Sequence, residues 1–219
     1  MLYLLFVFYP YMLATTSTIA IKYKGGVLIA ADTSVSYGSL AMTKLNRIFV
    51  LNKTLITFNG MVNDFLYIKR CLEEEIAQDK REIDSKGIFK LLQLFMYSER
   101  SRVKPKFCSI VIAGLDKKKD AFLGSITSKG VFWEDDTIAT GFASHLVLPL
   151  LREKKTTNLS LEEAKDFLRK TCKVLIYKDA KASNKIQMGH ITNEGEIEVS
   201  NEVLDSDWAI SHKLNEIKL

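Results

Sequence analysis

Gly25 and Gly26 stand between two apolar, β-branched runs, one from Ser17 to Tyr23 and the other from Val27 to Asp32. Glycine takes the positive φ that tight reversals need, so this pattern predicts a β-hairpin. Pairing the strands across such a turn brings their far ends together. Thr16 then lies beside Asp32, a hydroxyl next to an acid. That pairing serves either proton transfer or the plainer roles of a β-branched strand residue and a turn-capping carboxylate.

The rest of the chain alternates between two periods. Strands are predicted from Arg47 to Leu51 and from Thr54 to Phe58, closed by Asn59-Gly60. Phe65, Ile68, Leu72 and Ile76 then recur at helical spacing, and a second helix is predicted from Lys86 to Arg100. Strands follow from Phe107 to Leu115, from Ala121 to Ile126 and from Gly130 to Glu134, and helical spacing returns from Ala143 to Glu153. Ser160-Leu161-Glu162-Glu163 is a capping-box sequence, in which serine and Glu163 satisfy backbone donors at the start of a helix. A last hairpin spans Ile186 to Ser200. Strands grouped with strands and helices with helices predict an α+β fold of stacked layers, two sheets face to face with helices outside each.

Composition narrows the function classes. A 219-residue chain buries a core as one large domain, and a net charge of +5 spread along it does not call for nucleic acid. Cys71, Cys108 and Cys172 are odd in number, widely spaced and set among apolar residues. They form neither a disulfide framework nor metal spacing, so no metal and no cofactor is expected, and the thiols fit a reducing compartment. The stretch from Met1 to Ala14 is almost wholly apolar, yet no Lys or Arg precedes Lys22, as a secretory signal would require. As a helix it would reach ~21 Å of a ~30 Å hydrocarbon core. It reads as a leader that packs on protein, with no membrane role.

The hairpin ending in Ala30-Ala31-Asp32 resembles that of proteasome beta-type subunits. Five further segments extend the likeness: Ser36-Tyr37-Gly38-Ser39-Leu40-Ala41, Met96-Tyr97-Ser98-Glu99-Arg100-Ser101, Pro149-Leu150-Leu151-Arg152-Glu153, Val174-Leu175-Ile176-Tyr177-Lys178-Asp179-Ala180 and Asp207-Trp208-Ala209-Ile210-Ser211-His212. Together they are similar to the non-catalytic seventh member of the beta ring of the 20S core. The resemblance implies the four-layer αββα sandwich of N-terminal nucleophile hydrolases. It also implies a leader at 1–15, a beta-type domain at 16–212 and a C-terminal tail at 213–219. The partners it implies are beta subunits of the same and the opposite ring and alpha-ring subunits, in cytoplasm and nucleus.

In active relatives a freed N-terminal threonine is the nucleophile, a lysine and an aspartate tune its proton transfer, and a glycine amide donates to the oxyanion. The resemblance places the threonine at Thr16, the aspartate at Asp32, the oxyanion glycine at Gly60 and a second supporting aspartate at Asp179. Thr15 stands where active relatives have a glycine, Arg47 where they have the lysine, and Phe142 and Ala182 where they have serines. Guanidinium stays protonated far above neutral pH, so Arg47 holds an acid but accepts no proton. The expectation is a catalytically silent subunit in a complex for ubiquitin-dependent protein degradation. The alternative is an active threonine endopeptidase using Thr16. Trp208 is expected to anchor a tail whose Leu214, Ile217 and Leu219 contact the opposite ring.

Overall fold

A computed structural model of the chain describes residues 13–78 and 83–208. Residues 1–12 of the expected leader, and Leu214, Ile217 and Leu219 of the expected tail, lie outside them. The strands are β1 (Leu13–Thr15), β2 (Thr18–Tyr23), β3 (Gly26–Asp32), β4 (Ser34–Tyr37), β5 (Leu40–Lys44), β6 (Ile48–Leu51) and β7 (Thr54–Met61). Helices α1 (Val62–Gln78) and α2 (Ser85–Ser101) follow, then β8 (Cys108–Leu115), β9 (Ala121–Ile126), β10 (Phe132–Glu134) and β11 (Thr137–Thr140). Two short helices, α3 (Ala143–Leu146) and α4 (Leu148–Glu153), precede the long α5 (Leu161–Lys178) and the closing hairpin of β12 (Lys185–Thr192) and β13 (Ile197–Val203).

The predicted first hairpin is β2–β3, in register from Thr18↔Ala31 to Tyr23↔Gly26. Gly26 sits at φ +150°, and a Cβ there would come within 1.9 Å of the Ile191 carbonyl oxygen, so β12 can pair with β3 only because position 26 lacks a side chain. Five strands form one sheet in the order β11-β2-β3-β12-β13. The second sheet runs β10-β9-β8-β7-β1-β4-β5, with β6 also paired to β7.

Alternation along the strands sorts side chains into three apolar layers. Between the sheets lie Ala20, Val27 and Ile29 against Leu55, Val111, Ala113 and Leu123. The other face of β2 and β3 carries Ile19, Ile21, Leu28 and Ala30, which meet Ala164, Leu168 and Cys172 of α5. On the far side Phe58, Ile110 and Ile112 meet Phe65, Ile68, Leu92 and Met96 of α1 and α2. There Phe58 stacks on Phe65 with ring centroids 3.9 Å apart. The result is the expected αββα order of layers.

The capping box forms as read: the Glu163 amide donates to Ser160 Oγ at 3.4 Å, and the Ser160 amide donates to Glu163 Oε2 at 2.9 Å. Such a cap contributes ~1 kcal/mol.

Local reading missed or misplaced several elements. β11 is buried at all four positions and β5 exposed at all five, so neither shows the alternation by which strands are recognised. Asn59-Gly60 does not close β7. The strand continues to Met61 because Gly60 pairs with both Thr15 and Cys108. Arg47 precedes β6 instead of beginning it. The helical stretch after Ala143 divides at Val147, with Pro149 in the first turn of the second piece, where its missing N–H costs nothing.

Candidate functional site

Thr16 follows β1 and Asp32 ends β3, and the hairpin register sets them together as predicted. The Thr16 hydroxyl donates to Asp32 Oδ1 at 3.0 Å. Both residues are buried. Asp32 Oδ2 accepts from the amides of Ser34 and Ser183, each at 3.2 Å.

Arg47 occupies the centre and is fully buried. Its Nη1 donates to Asp32 Oδ1 at 2.6 Å, to the Ser17 carbonyl at 3.0 Å and to the Asp32 carbonyl at 3.2 Å. Its Nη2 donates to the Thr16 carbonyl and Thr18 Oγ1, both at 3.1 Å, and to the Phe58 carbonyl at 2.5 Å. The guanidinium thus ties β2, β3 and β7 into one knot. Burial pushes it below its ordinary value, with Asp32 working against that push. Burial likewise pushes the Asp32 carboxyl up, while Arg47 and the donors from Ser183, Thr16 and Ser34 pull it down. The guanidinium has no lone pair to offer, so the group nearest the Thr16–Asp32 pair cannot serve as a base.

Gln187 is the residue that sequence reasoning overlooked. Its Oε1 accepts from the Arg47 amide at 2.8 Å and from the Ile48 amide at 2.7 Å, and so fixes the backbone that aims Arg47 inward. The signal was present: one amide side chain inside the apolar run Ile186-Gln187-Met188. Buried polar side chains there require partners.

Other predicted positions are less closely joined. Gly60 lies one step upstream in the register, opposite Thr15, at φ +106°. Asp179 is buried at the end of α5, and its Oδ1 accepts from the Lys181 amide at 3.0 Å within its own loop. Ala182 lines the small cavity beside Thr16. The adjacent Ser183 reaches Asp32 through its amide, not its hydroxyl, which accepts from the Lys185 amide at 3.1 Å. The Phe142 side chain is 57% exposed and brings no polar group to the centre. Instead the Ala143 amide donates to Ser17 Oγ at 3.1 Å. Lys44 is exposed on β5. Trp208 is exposed too, packed edge-on against Tyr177 with centroids 5.3 Å apart.

Two features limit access to Thr16. The cavity beside it measures about 10 Å³, no more than the ~10–15 Å³ a single water needs. The residues just upstream form β1, which pairs with β4 through Leu13↔Tyr37 and Thr15↔Val35 and with β7 through Ala14↔Met61 and Thr15↔Gly60. The space between β4 and β7, one strand wide, is therefore filled by the chain itself, and Thr16 is joined to it by a peptide bond.

No group of three or more His, Cys, Asp or Glu able to hold a metal occurs among the described residues. The thiols of Cys108 and Cys172 are pushed up to about 12, chiefly by burial, which leaves them protonated and inert. Among the described residues no helix is long and apolar enough to cross a membrane.

Comparison with known proteins agrees with this architecture. The family described as "Proteasome subunit" matches residues 12–191. The chain is 38% identical to proteasome subunit beta type-4 of Arabidopsis thaliana, over 85% of this chain and 78% of that protein. It is 36% identical to proteasome subunit beta type-4 of Xenopus laevis, over 93% and 88%. It is 32% identical to the probable proteasome subunit beta type-7 of Encephalitozoon cuniculi, over 92% and 96%. With the two-sheet sandwich, the hairpin that joins Thr16 to Asp32 and these matches together, the chain belongs to the proteasome beta subunit family.

Proposed function

We propose that this chain is a non-catalytic subunit of the proteasome core, completing the beta ring in a complex that carries out ubiquitin-dependent protein degradation in cytoplasm and nucleus. The observation that carries the reading is Arg47. An active threonine site needs a group that exchanges protons with the nucleophile. Here that place is taken by a permanently charged guanidinium, fixed by six hydrogen bonds to its neighbours. The serine positions held by Phe142 and Ala182, and Thr15 before Thr16, point the same way. Thr16, Asp32, Gly60 and Asp179 are then vestiges of a site, with structural work to do.

A second reading keeps the chain active, and one contact favours it: the Thr16 hydroxyl still bonds to Asp32 at 3.0 Å. Thr16→Ala in the assembled particle separates the two readings. Under the structural reading each peptidase activity of the particle stays unchanged within measurement. Selective loss of one activity establishes Thr16 as a nucleophile.

We also propose that the chain helps hold the two half-particles together through its tail, with Trp208 as the base and Leu214, Ile217 and Leu219 as contacts. The support is compositional, since a solvated terminus rarely carries so many large apolar side chains. Deleting residues 213–219 is expected to leave the subunit incorporated while half-particles accumulate, as read by native gel. Full particles forming at the normal rate would remove the tail from this role.

A further inference from the structure

Among the described residues the eight-stranded sheet ends at β5, which pairs with β4 and with no further strand. All five of its residues are exposed, including Leu40 at 60% and Met42 at 53%. An edge strand offers unpaired N–H and C=O groups, and isolated proteins protect such edges by shortening, bulging or charging them. β5 carries one such device, a bulge where its register against Val35 and Ser36 shifts, yet it still presents Leu40 and Met42 to solvent.

A groove of about 790 Å³ runs beside this strand, lined by Met42, Lys44, Lys181 and Trp208 and by no carboxylate. Its charge is one-sided. The amine of Lys185, at the start of β12, lies against that of Lys44 and lowers the affinity of Lys44 for its proton. Among the described residues, none of the ion pairs includes Lys44, Lys181 or Lys185. The carboxylates of Asp32 and Asp179 nearby are buried and turned to amides or to Arg47. One lysine suffices to guard an edge against pairing. Here Lys44 and Lys181 line one groove without a carboxylate, and an anion entering it is attracted by both.

We propose that the edge of β5 and its groove receive an extended, carboxylate-bearing segment of a neighbouring subunit, which adds a strand to the sheet and sets its acids against Lys44, Lys181 and Lys185. Strand addition draws affinity from main-chain hydrogen bonds and specificity from alternate side chains. An edge of this length accommodates about five residues at ~3.3 Å each. Leu40 and Met42 supply apolar contact, and the lysines select acidic partners over basic ones. The inference rests on the chain being a ring subunit.

The test uses the assembled particle. A photo-crosslinking residue introduced at position 42 is expected to capture a segment of another subunit that carries Asp or Glu within about three residues of the crosslink, a reach set by ~3.3 Å per residue. Capture of residues 209–219 of the same chain, or of a segment without carboxylates, overturns the proposal. In parallel, the double variant Lys44→Glu/Lys185→Glu is expected to enter the particle about tenfold less than wild type, because like charges would then meet. Lys44→Arg/Lys185→Arg should enter normally, which separates charge from folding. Normal entry of the double-Glu variant overturns the proposal and leaves the ring-subunit reading intact. Absence of the unmodified chain from the particle overturns both.

Discussion

Replacing Arg47 by Ala is expected to destabilise the chain by about 3–5 kcal/mol, the range for removing one partner of a buried ion pair. For a domain of this size that corresponds to roughly 6–20 °C in melting temperature. The loss has two parts. Asp32 keeps a buried charge without its counter-ion, and carbonyls of Thr16, Ser17 and Phe58 lose their donor in a region closed to water. Arg47→Lys cannot repair this, because one ammonium cannot span the positions that the two guanidinium arms reach. Adding Asp32→Asn to Arg47→Ala should recover part of the loss by removing the orphaned charge. Urea unfolding of the full-length chain reads all three. A drop below ~1 kcal/mol for Arg47→Ala would mean that water fills the gap and that the ion pair is no structural centre.

Gly60→Ala is expected to be nearly as costly, for steric reasons. At φ +106° an L side chain is strained, and its Cβ would lie 2.4 Å from the Phe107 carbonyl oxygen and 3.0 Å from Cys108 Cα. That carbonyl accepts from the Met61 amide at 2.9 Å, so it cannot retreat without opening the ladder. Strain of about 1–3 kcal/mol from the dihedral adds to about 1–3 kcal/mol from overpacking. Gly195→Ala provides the comparison: φ is +91° but no atom lies within 4 Å, so only the dihedral part remains. Equal destabilisation by the two variants would show that the contact with Phe107 yields easily. A larger effect at position 60 also bears on β1, whose Thr15 pairs with Gly60.

The two glycines contrast in what they reveal. Gly26 could be read as a turn residue because its neighbours in sequence, β2 and β3, are also its neighbours in space. Gly60 looked like another turn signal beside Asn59. Its backbone is bent by strands that come from residues 13–15 and 107–108, far off in the chain.

The same division runs through the whole protein. Period and turn chemistry are local, so the sequence alone determined the first hairpin, the long helices, the Ser160 cap, the four-layer packing and the meeting of Thr16 with Asp32. Cross-strand neighbours are not local. Short strands without alternation, such as β5 and β11, take their form from partners that no window of sequence contains. The guanidinium of Arg47 could be assigned its chemistry from residue type, since it holds a charge at any accessible pH. Only the tertiary structure decided that it would be enclosed by three strands, aimed by Gln187 from a fourth, and fronted by the chain's own β1 between β4 and β7. Those contacts join residues separated by up to 140 positions. They exist only once loop-closure entropy has been offset by burying the layers around them.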